Sequence, residues 1–229
     1  MADAIRLIDT TSDARLWTVE LDAPEASSWR GWLSAEEHAR AARFVFARDR
    51  SRYEAAHGAL RHLLASSTGL APNAVRLVPG ALGKPRLADE CGIEFNLSHS
   101  QGLALIAIGH APLGVDVEWL RPFDDWRALA AAHFTAAEQT VIAKQPAAAQ
   151  SHEFLRFWTR KEACLKALGL GLSIDTRTVD VRQDRVDAAG HGALAVRSLA
   201  IGCEAIASIA FVEAVAAPIP ANHSVEACA

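Results

Sequence analysis

Apolar and polar positions alternate with period two over residues 4–9 and 15–21, with Trp17 and Val19 opposite Leu16, Thr18 and Glu20, and predict two strands. Ser34-Ala-Glu-Glu37 has the spacing of a capping box, in which Ser34 accepts from the N3 amide and Glu37 reaches back. A helix is expected from there to about Phe44. Tyr53, Ala56, Leu60, Leu63 and Leu64 then recur at helical spacing, which predicts a second helix from about Arg48 to Ser67 with Gly69 just past its end. Residues 75–78 read as a short strand, followed by turn signals at Pro79-Gly80 and Gly83. Strands are expected over 93–97 and 103–108, joined by a polar turn at 98–102, and again over 115–119.

The second half repeats this order. Thr135-Ala-Ala-Glu138 is another capping box, and Phe154, Phe157, Trp158, Leu165 and Leu168 predict a long helix from about Ser151 to Ala167, with Gly169 and Gly171 beyond it. Strands are expected near 178–182, 193–198 and 204–213, and the tail from Pro218 reads as loose. Each half therefore runs capping box, short helix, long helix, glycine, strands. That pattern predicts an internal duplication, against the alternative that common capped helices merely coincide. A duplicated chain folds as a pseudo-dimer, and the seam between its halves is a natural ligand cleft.

The 229 residues suffice for a real core, and 51% hydrophobic with 22% charged residues excludes disordered and low-complexity classes. Net charge is −4, which disfavours a general nucleic-acid binder, and mean hydropathy is +0.10. The four cysteines, Cys91, Cys164, Cys203 and Cys228, form no CxxC pair, so neither a zinc site nor a disulfide framework is expected and the chain reads as cytoplasmic. The first residues lack a basic region followed by an apolar one, so no signal peptide is expected. The longest strongly apolar run, 102–115, is too short for a membrane span and contains His110 and Pro112.

Within this frame a few segments carry chemistry. Gly114-Val-Asp-Val-Glu118 puts Asp116 and Glu118 on one strand face, where a hard divalent cation would relieve their repulsion; the ordinary alternative is a solvent-facing acidic edge. In Trp158-Thr-Arg-Lys-Glu-Ala-Cys-Leu-Lys166, Glu162 and Lys166 are neighbours at i and i+4, as in any surface ion pair, whereas Lys161 points elsewhere. Phe95-Asn-Leu-Ser-His-Ser100 ends a strand with the three hydrogen-bonding side chains of Ser98, His99 and Ser100, with His99 a phosphate contact, a base or a turn cap. Gly83-Lys-Pro-Arg86 places two cations on a stiff turn. Arg40, Arg43, Arg48, Arg50, Arg52 and Arg61 make the first helical pair locally basic, a candidate anion site or a solvated face.

Taken in order, Arg52, Gly83-Lys84-Pro85, the segment ending at Ser100, the segment ending at Glu118, and Trp158 to Lys166 running into Gly169-Leu-Gly-Leu172 resemble the 4′-phosphopantetheinyl transferase superfamily in its larger surfactin-type branch. The resemblance spans roughly residues 34–172. It implies an α+β pseudo-dimer of two similar halves, each with helices packed on a small, mainly antiparallel sheet. The implied division is 1–112 for coenzyme A contacts and 113–229 for the metal carboxylates and catalytic helix. It further implies transfer of 4′-phosphopantetheine from coenzyme A to a serine of an apo acyl, peptidyl or aryl carrier protein, with release of adenosine 3′,5′-bisphosphate and a need for Mg²⁺.

Carried over by motif, Asp116, Glu118 and Glu162 are the metal carboxylates, and Glu162 and Lys166 act in catalysis. Arg40, Arg52, Lys84, Ser98 and His99 contact the coenzyme, His99 near the 3′-phosphate. Glu37 departs from the family pattern by standing where a second basic residue is expected. Either Glu162 or a metal-bound water takes the serine proton. A metal-dependent nuclease and a non-catalytic carrier-binding module are the competing readings; the acidic pI and absent Glu-x-Lys pair count against the first, and three intact carboxylates against the second. A monomer acting without nucleic acid or membrane is expected.

Overall fold

Two four-stranded antiparallel sheets lie back to back, and each carries a 22-residue helix on its outer face. The structure is a computed structural model that describes residues 4–11, 13–89, 91–120, 125–188 and 190–213. The first half contributes β1 (Ile5–Thr10), β2 (Ala14–Glu20), α1 (Ala35–Ala41), α2 (Ala47–Thr68), the small ribbon β3 (Leu77–Pro79) and β4 (Pro85–Leu87), then β5 (Glu94–Ser100) and β6 (Leu103–Gly109). The second contributes β7 (Leu113–Trp119), α3 (Trp126–His133), α4 (Ala136–Ala143), α5 (Ala147–Leu168), β8 (Arg185–Ala188), β9 (Gly192–Leu199) and β10 (Ala205–Val212). The sheet orders are β1-β2-β6-β5 and β7-β10-β9-β8.

The duplication is visible in this topology. In each half a strand (β2 or β7) precedes a capped short helix and a 22-residue helix, and a hairpin (β5–β6 or β9–β10) follows. The last strand of the hairpin pairs antiparallel with the first strand of the unit. Period two sorts the side chains of each sheet between two cores. Leu16, Leu105 and Ala107 meet Val115, Val117, Ala207 and Ile209 between the sheets. Trp17, Val19 and Ile106 face α2, whereas Ile206, Ala210 and Val196 face α5. Gly69 and Gly169 end the long helices with φ of 73° and 70°, a left-handed cap that glycine adopts without strain.

Both capping boxes form, and each glutamate does a second job. Glu37 Oε2 accepts from Ser34 N at 2.7 Å and from Arg61 Nε at 2.7 Å. Arg61 also donates to the Pro72 and Val75 carbonyls. In the second half Glu138 Oε2 accepts from Thr135 N at 2.8 Å, and Lys161 Nζ lies 3.0 Å from the same atom. Lys161 also donates to the Thr176 and Val179 carbonyls. A buried cation thus ties each short helix to the long helix and to the chain that follows it. Glu37, the departure from the family's basic position, is fixed here as an internal ion-pair partner.

Glu37 has an acid-stability signature. Burial raises its pKa, but His57, the Ser34 amide and Arg61 outweigh that and bring it from 4.5 down to about 2. A depressed carboxyl pKa stabilises the fold above the unfolded value and loses that contribution as pH falls through the folded one. The shift corresponds to an upper bound of about 3 kcal/mol. Glu37→Gln is expected to lose most of it at pH 7, with the gap to wild type closing between about pH 5 and 2 in urea melts. A pH-independent gap would contradict this reading.

Several expected boundaries are corrected. α1 stops at Ala41 rather than near Phe44, because Phe44, Val45 and Phe46 are exposed and provide no buried face. The strand expected over 75–78 lies at Leu77–Pro79. α5 starts at Ala147, directly after Pro146, instead of at 151. No strand forms at 178–182: Val179 and Val181 are buried singly beside a 3-10 turn at Thr176–Thr178, and the strand is β8. The polar turn expected over 98–102 is instead strand through Ser100, with only Gln101 and Gly102 turning. The pattern did not suggest α3 or the 3-10 segment Pro24–Trp32, whose Trp29 packs against Gly58 of α2. The tail from Pro218, and Cys228, lie outside the described residues.

Candidate active site

β5 and β7 are edge strands of different sheets, and the site is built where they meet. An edge strand presents a row of unpaired backbone groups. Here the N–H groups of Val115, Val117 and Trp119 are covered by side chains of β5. They donate to Asn96 Oδ1 at 2.9 Å, Ser98 Oγ at 3.4 Å and Ser100 Oγ at 3.2 Å. Residues 96, 98 and 100 share one face of β5 because side chains alternate. This is why β5 continues as a strand through residues that look like a turn.

Opposite Val115 and Val117, the other face of β7 carries Asp116 and Glu118 toward α5. Gly114 makes that contact possible: a Cβ there would collide with the Ala163 carbonyl and the Ala167 amide of α5. With the helix this close, Lys166 Nζ donates to Asp116 Oδ1 at 2.6 Å and to Ser98 Oγ at 3.1 Å. Ser98 donates to Asp116 Oδ1 at 2.8 Å, and Ser100 to Glu118 Oε2 at 2.8 Å. Lys166 therefore pairs with Asp116 on the facing strand, and not with Glu162 as the ordinary i, i+4 surface pair would have it. Lys161, one position along, points into the second core and its buried ion pair, so it is not an inert neighbour.

The electrostatics mark the cluster. Burial pushes the Asp116 carboxyl up, against Lys166 and Ser98, which pull it down. Burial likewise raises Glu162, helped by the negative charges of Asp116 and Glu118 and opposed by Lys166. Desolvation and then the neighbouring His57, Lys166 and Arg52 pull His99 below its usual range, although its side chain stays exposed. Cys164 is buried and its thiol is pushed up to about 12, so it is inert.

The other expected contacts surround this core at different distances. Lys84 reaches across to the second half, donating to the Leu113 carbonyl at 2.8 Å. Arg52 holds Asp22 through two hydrogen bonds and reaches Gln101 Oε1 at 3.4 Å, next to Ser100. Arg52, Asp22 and Gln101 line part of a cleft of about 1060 Å³ that runs past Trp119, whereas Lys84, Asp116, Glu118 and Glu162 lie outside its lining. Arg40 stands apart, exposed on α1 with its guanidinium 5.7 Å from the Tyr53 ring; Tyr53 in turn lies 4.1 Å from the His57 ring. The roles of Asp22, Gly114, Ser100 and Asn96 were not anticipated. All but Asp22 stand inside motifs the sequence had singled out.

Two family models match the chain in tandem: 4′-phosphopantetheinyl transferase, N-terminal, over residues 23–110, and 4′-phosphopantetheinyl transferase superfamily over 112–202. The 4′-phosphopantetheinyl transferase HetI of Nostoc sp. is 40% identical over 169 residues, 71% of this chain and 71% of its own. The chain belongs to the 4′-phosphopantetheinyl transferase superfamily. Other members similar to it are psf-1 of Bacillus pumilus, 33% identical over 62% of this chain and 60% of its own, and AcpT of Salmonella typhimurium, 39% identical over 41% and 49%. Its enzyme class is therefore that of a phosphopantetheinyl transferase, and its two back-to-back sheets form the pseudo-dimer the resemblance implied. Among the described residues no helix is long and apolar enough to cross a membrane.

The residues at the β7–α5 contact have the donor chemistry of a divalent-ion site. Among the described residues no three His, Cys, Asp or Glu side chains are grouped closely enough to enclose an ion on their own. Mg²⁺ does not require such a cage, since it commonly keeps waters and binds through one or two carboxylates plus substrate phosphates. Asp116 Oδ2 is buried with no hydrogen-bond partner, which is an unusual state for a carboxylate oxygen and suits a cation ligand. The donors are all hard oxygens, so the residues present fit the group.

Proposed function

We propose that the protein transfers the 4′-phosphopantetheine group of coenzyme A to a serine of an apo acyl, peptidyl or aryl carrier protein, releasing adenosine 3′,5′-bisphosphate in a Mg²⁺-dependent reaction. The observation that carries the reading is the convergence of Asp116, Glu118, Glu162 and Lys166 at the β7–α5 contact, with the unpartnered Asp116 Oδ2 among them.

In this reading Asp116, Glu118 and Glu162 hold the ion, which when bound supplies positive charge against the coenzyme pyrophosphate. The carrier serine attacks the β-phosphorus. Its Oγ–P bond forms as the bond to the adenosine 3′,5′-bisphosphate oxygen breaks, and the leaving group departs with the electron pair. Glu162, drawn into the same cluster, accepts the serine proton. Lys166 is tethered to Asp116 and Ser98 yet remains partly exposed, and its ammonium neutralises charge that builds on the departing phosphate. Arg40, Arg52, Lys84, Ser98 and His99 bind the anionic coenzyme. Residues 1–112 supply most of those contacts and 113–229 the carboxylates. We place the reaction in the cytoplasm, performed by a monomer without nucleic acid or membrane.

His99 is the group assigned to the 3′-phosphate. Its low pKa leaves the ring neutral at pH 7 until an anion offsets the surrounding cations. Losing a charge-assisted phosphate contact should cost about 1.5–3 kcal/mol, roughly ten- to a hundredfold in affinity. Titration of coenzyme A and of its 3′-dephospho analogue into wild type and His99→Ala should show a loss confined to coenzyme A. Equal weakening of both would remove His99 from the 3′-phosphate.

A further inference from the structure

The three polar residues on the β7-facing side of β5 do two different things. Asn96 covers the Val115 N–H and has no carboxylate partner. Ser98 accepts the Val117 N–H and donates its proton to Asp116, the residue before it. Ser100 repeats the arrangement one step along: it accepts the Trp119 N–H at 3.2 Å and donates to Glu118 at 2.8 Å. A hydroxyl has a single proton. The backbone N–H, and for Ser98 the Lys166 ammonium as well, leave each serine oxygen only the acceptor role toward them, so its proton goes to the carboxylate.

We propose that Ser98 and Ser100 are positioning residues of the transfer reaction, each locking the seam between the sheets and one oxygen of a working carboxylate with the same hydroxyl. The proposal rests on the reading of Asp116 and Glu118 as the ion-holding carboxylates. It accounts for Asp116: Oδ1 is pinned by Ser98 and Lys166, which turns Oδ2 into the position where it has no protein partner. It also accounts for a strand that carries hydroxyls at 98 and 100, where a carboxylate follows, and an amide at 96, where the partner strand has Gly114. Carboxylate ligands are commonly held by such hydrogen bonds, and removing the outer partner typically weakens ion affinity or activity by about ten- to a hundredfold.

Ser100 is the cleaner probe, because Ser98 is also assigned to the coenzyme. The full-length protein would be compared with Ser100→Ala, Ser100→Thr, Asn96→Ser and Glu118→Ala. The readouts are thermal melts, kcat and KM for coenzyme A, and Mn²⁺ affinity from the electron paramagnetic resonance of the free ion. Ser100→Ala should lower both kcat and Mn²⁺ affinity by roughly ten- to a hundredfold with KM nearly unchanged, and Ser100→Thr, which keeps the hydroxyl on a β-compatible side chain, should restore most of both. Asn96→Ser should shift only the melt. Wild-type kcat and Mn²⁺ affinity in Ser100→Ala would overturn the positioning role while Glu118→Ala, if inactive, leaves the carboxylate reading standing. An active Glu118→Ala would overturn that reading itself, and the positioning role with it.

Discussion

Asp116→Ala should abolish transfer, by about a thousandfold or more, while the protein stays folded. Asp116 is almost fully buried, and burial already disfavours its charge, so the folded state does not depend on that carboxylate. Its removal frees Lys166, whose ammonium is 28% exposed and can turn to water. It also takes away the one buried oxygen without a hydrogen-bond partner in the cluster and relieves repulsion with Glu162. Single-turnover transfer beside a thermal melt separates the two effects. A folded Asp116→Ala protein with near-normal turnover would remove Asp116 from the reaction.

Two lysines five positions apart on α5 are expected to give opposite phenotypes. Lys161→Ala leaves Glu138 with no exposed surface and no cation, and strands the Thr176 and Val179 carbonyls. Breaking a buried pair by removing one partner typically costs about 3–5 kcal/mol. For a chain of this length that is a melting shift of roughly 6–20 °C. Turnover per folded molecule should hold, because Lys161 points away from Asp116. Lys166→Ala should instead lower turnover by about a hundredfold or more, with a smaller melt change, since its head is solvent-accessible. A stable Lys161→Ala, or a Lys166→Ala with normal turnover, would each contradict the assignment. At about 100° of rotation per residue, five positions carry Lys166 roughly 140° around α5 from Lys161, which sends one side chain into the core and the other into the site.

Local signals carried much of the fold. Both capping boxes, the two long helices with their glycine caps and seven of the strands follow from spacing that depends only on neighbours in the chain. What was missed depends on partners far away in sequence. Ser98 and Ser100 read as turn residues because their polarity is explained by the edge of β7, eighteen residues on. Residues 178–182 read as a strand because Val179 and Val181 alternate, yet Lys161 and Glu138 claim the backbone there. The i, i+4 spacing could not choose between Glu162 and another partner for Lys166; Gly114 decides it by letting Asp116 come closer. The carboxylate pair was legible because period two on a strand is a strictly local rule.

The transfer itself is the claim on which the rest depends. The direct measurement is intact mass of an apo carrier protein after incubation with coenzyme A, Mg²⁺ and this protein, with Asp116→Ala alongside. The account predicts that the carrier gains one phosphopantetheine in the wild-type reaction and none with Asp116→Ala. An unmodified carrier in the wild-type reaction, across acyl, peptidyl and aryl carriers, would contradict it, as would full modification by a folded Asp116→Ala protein.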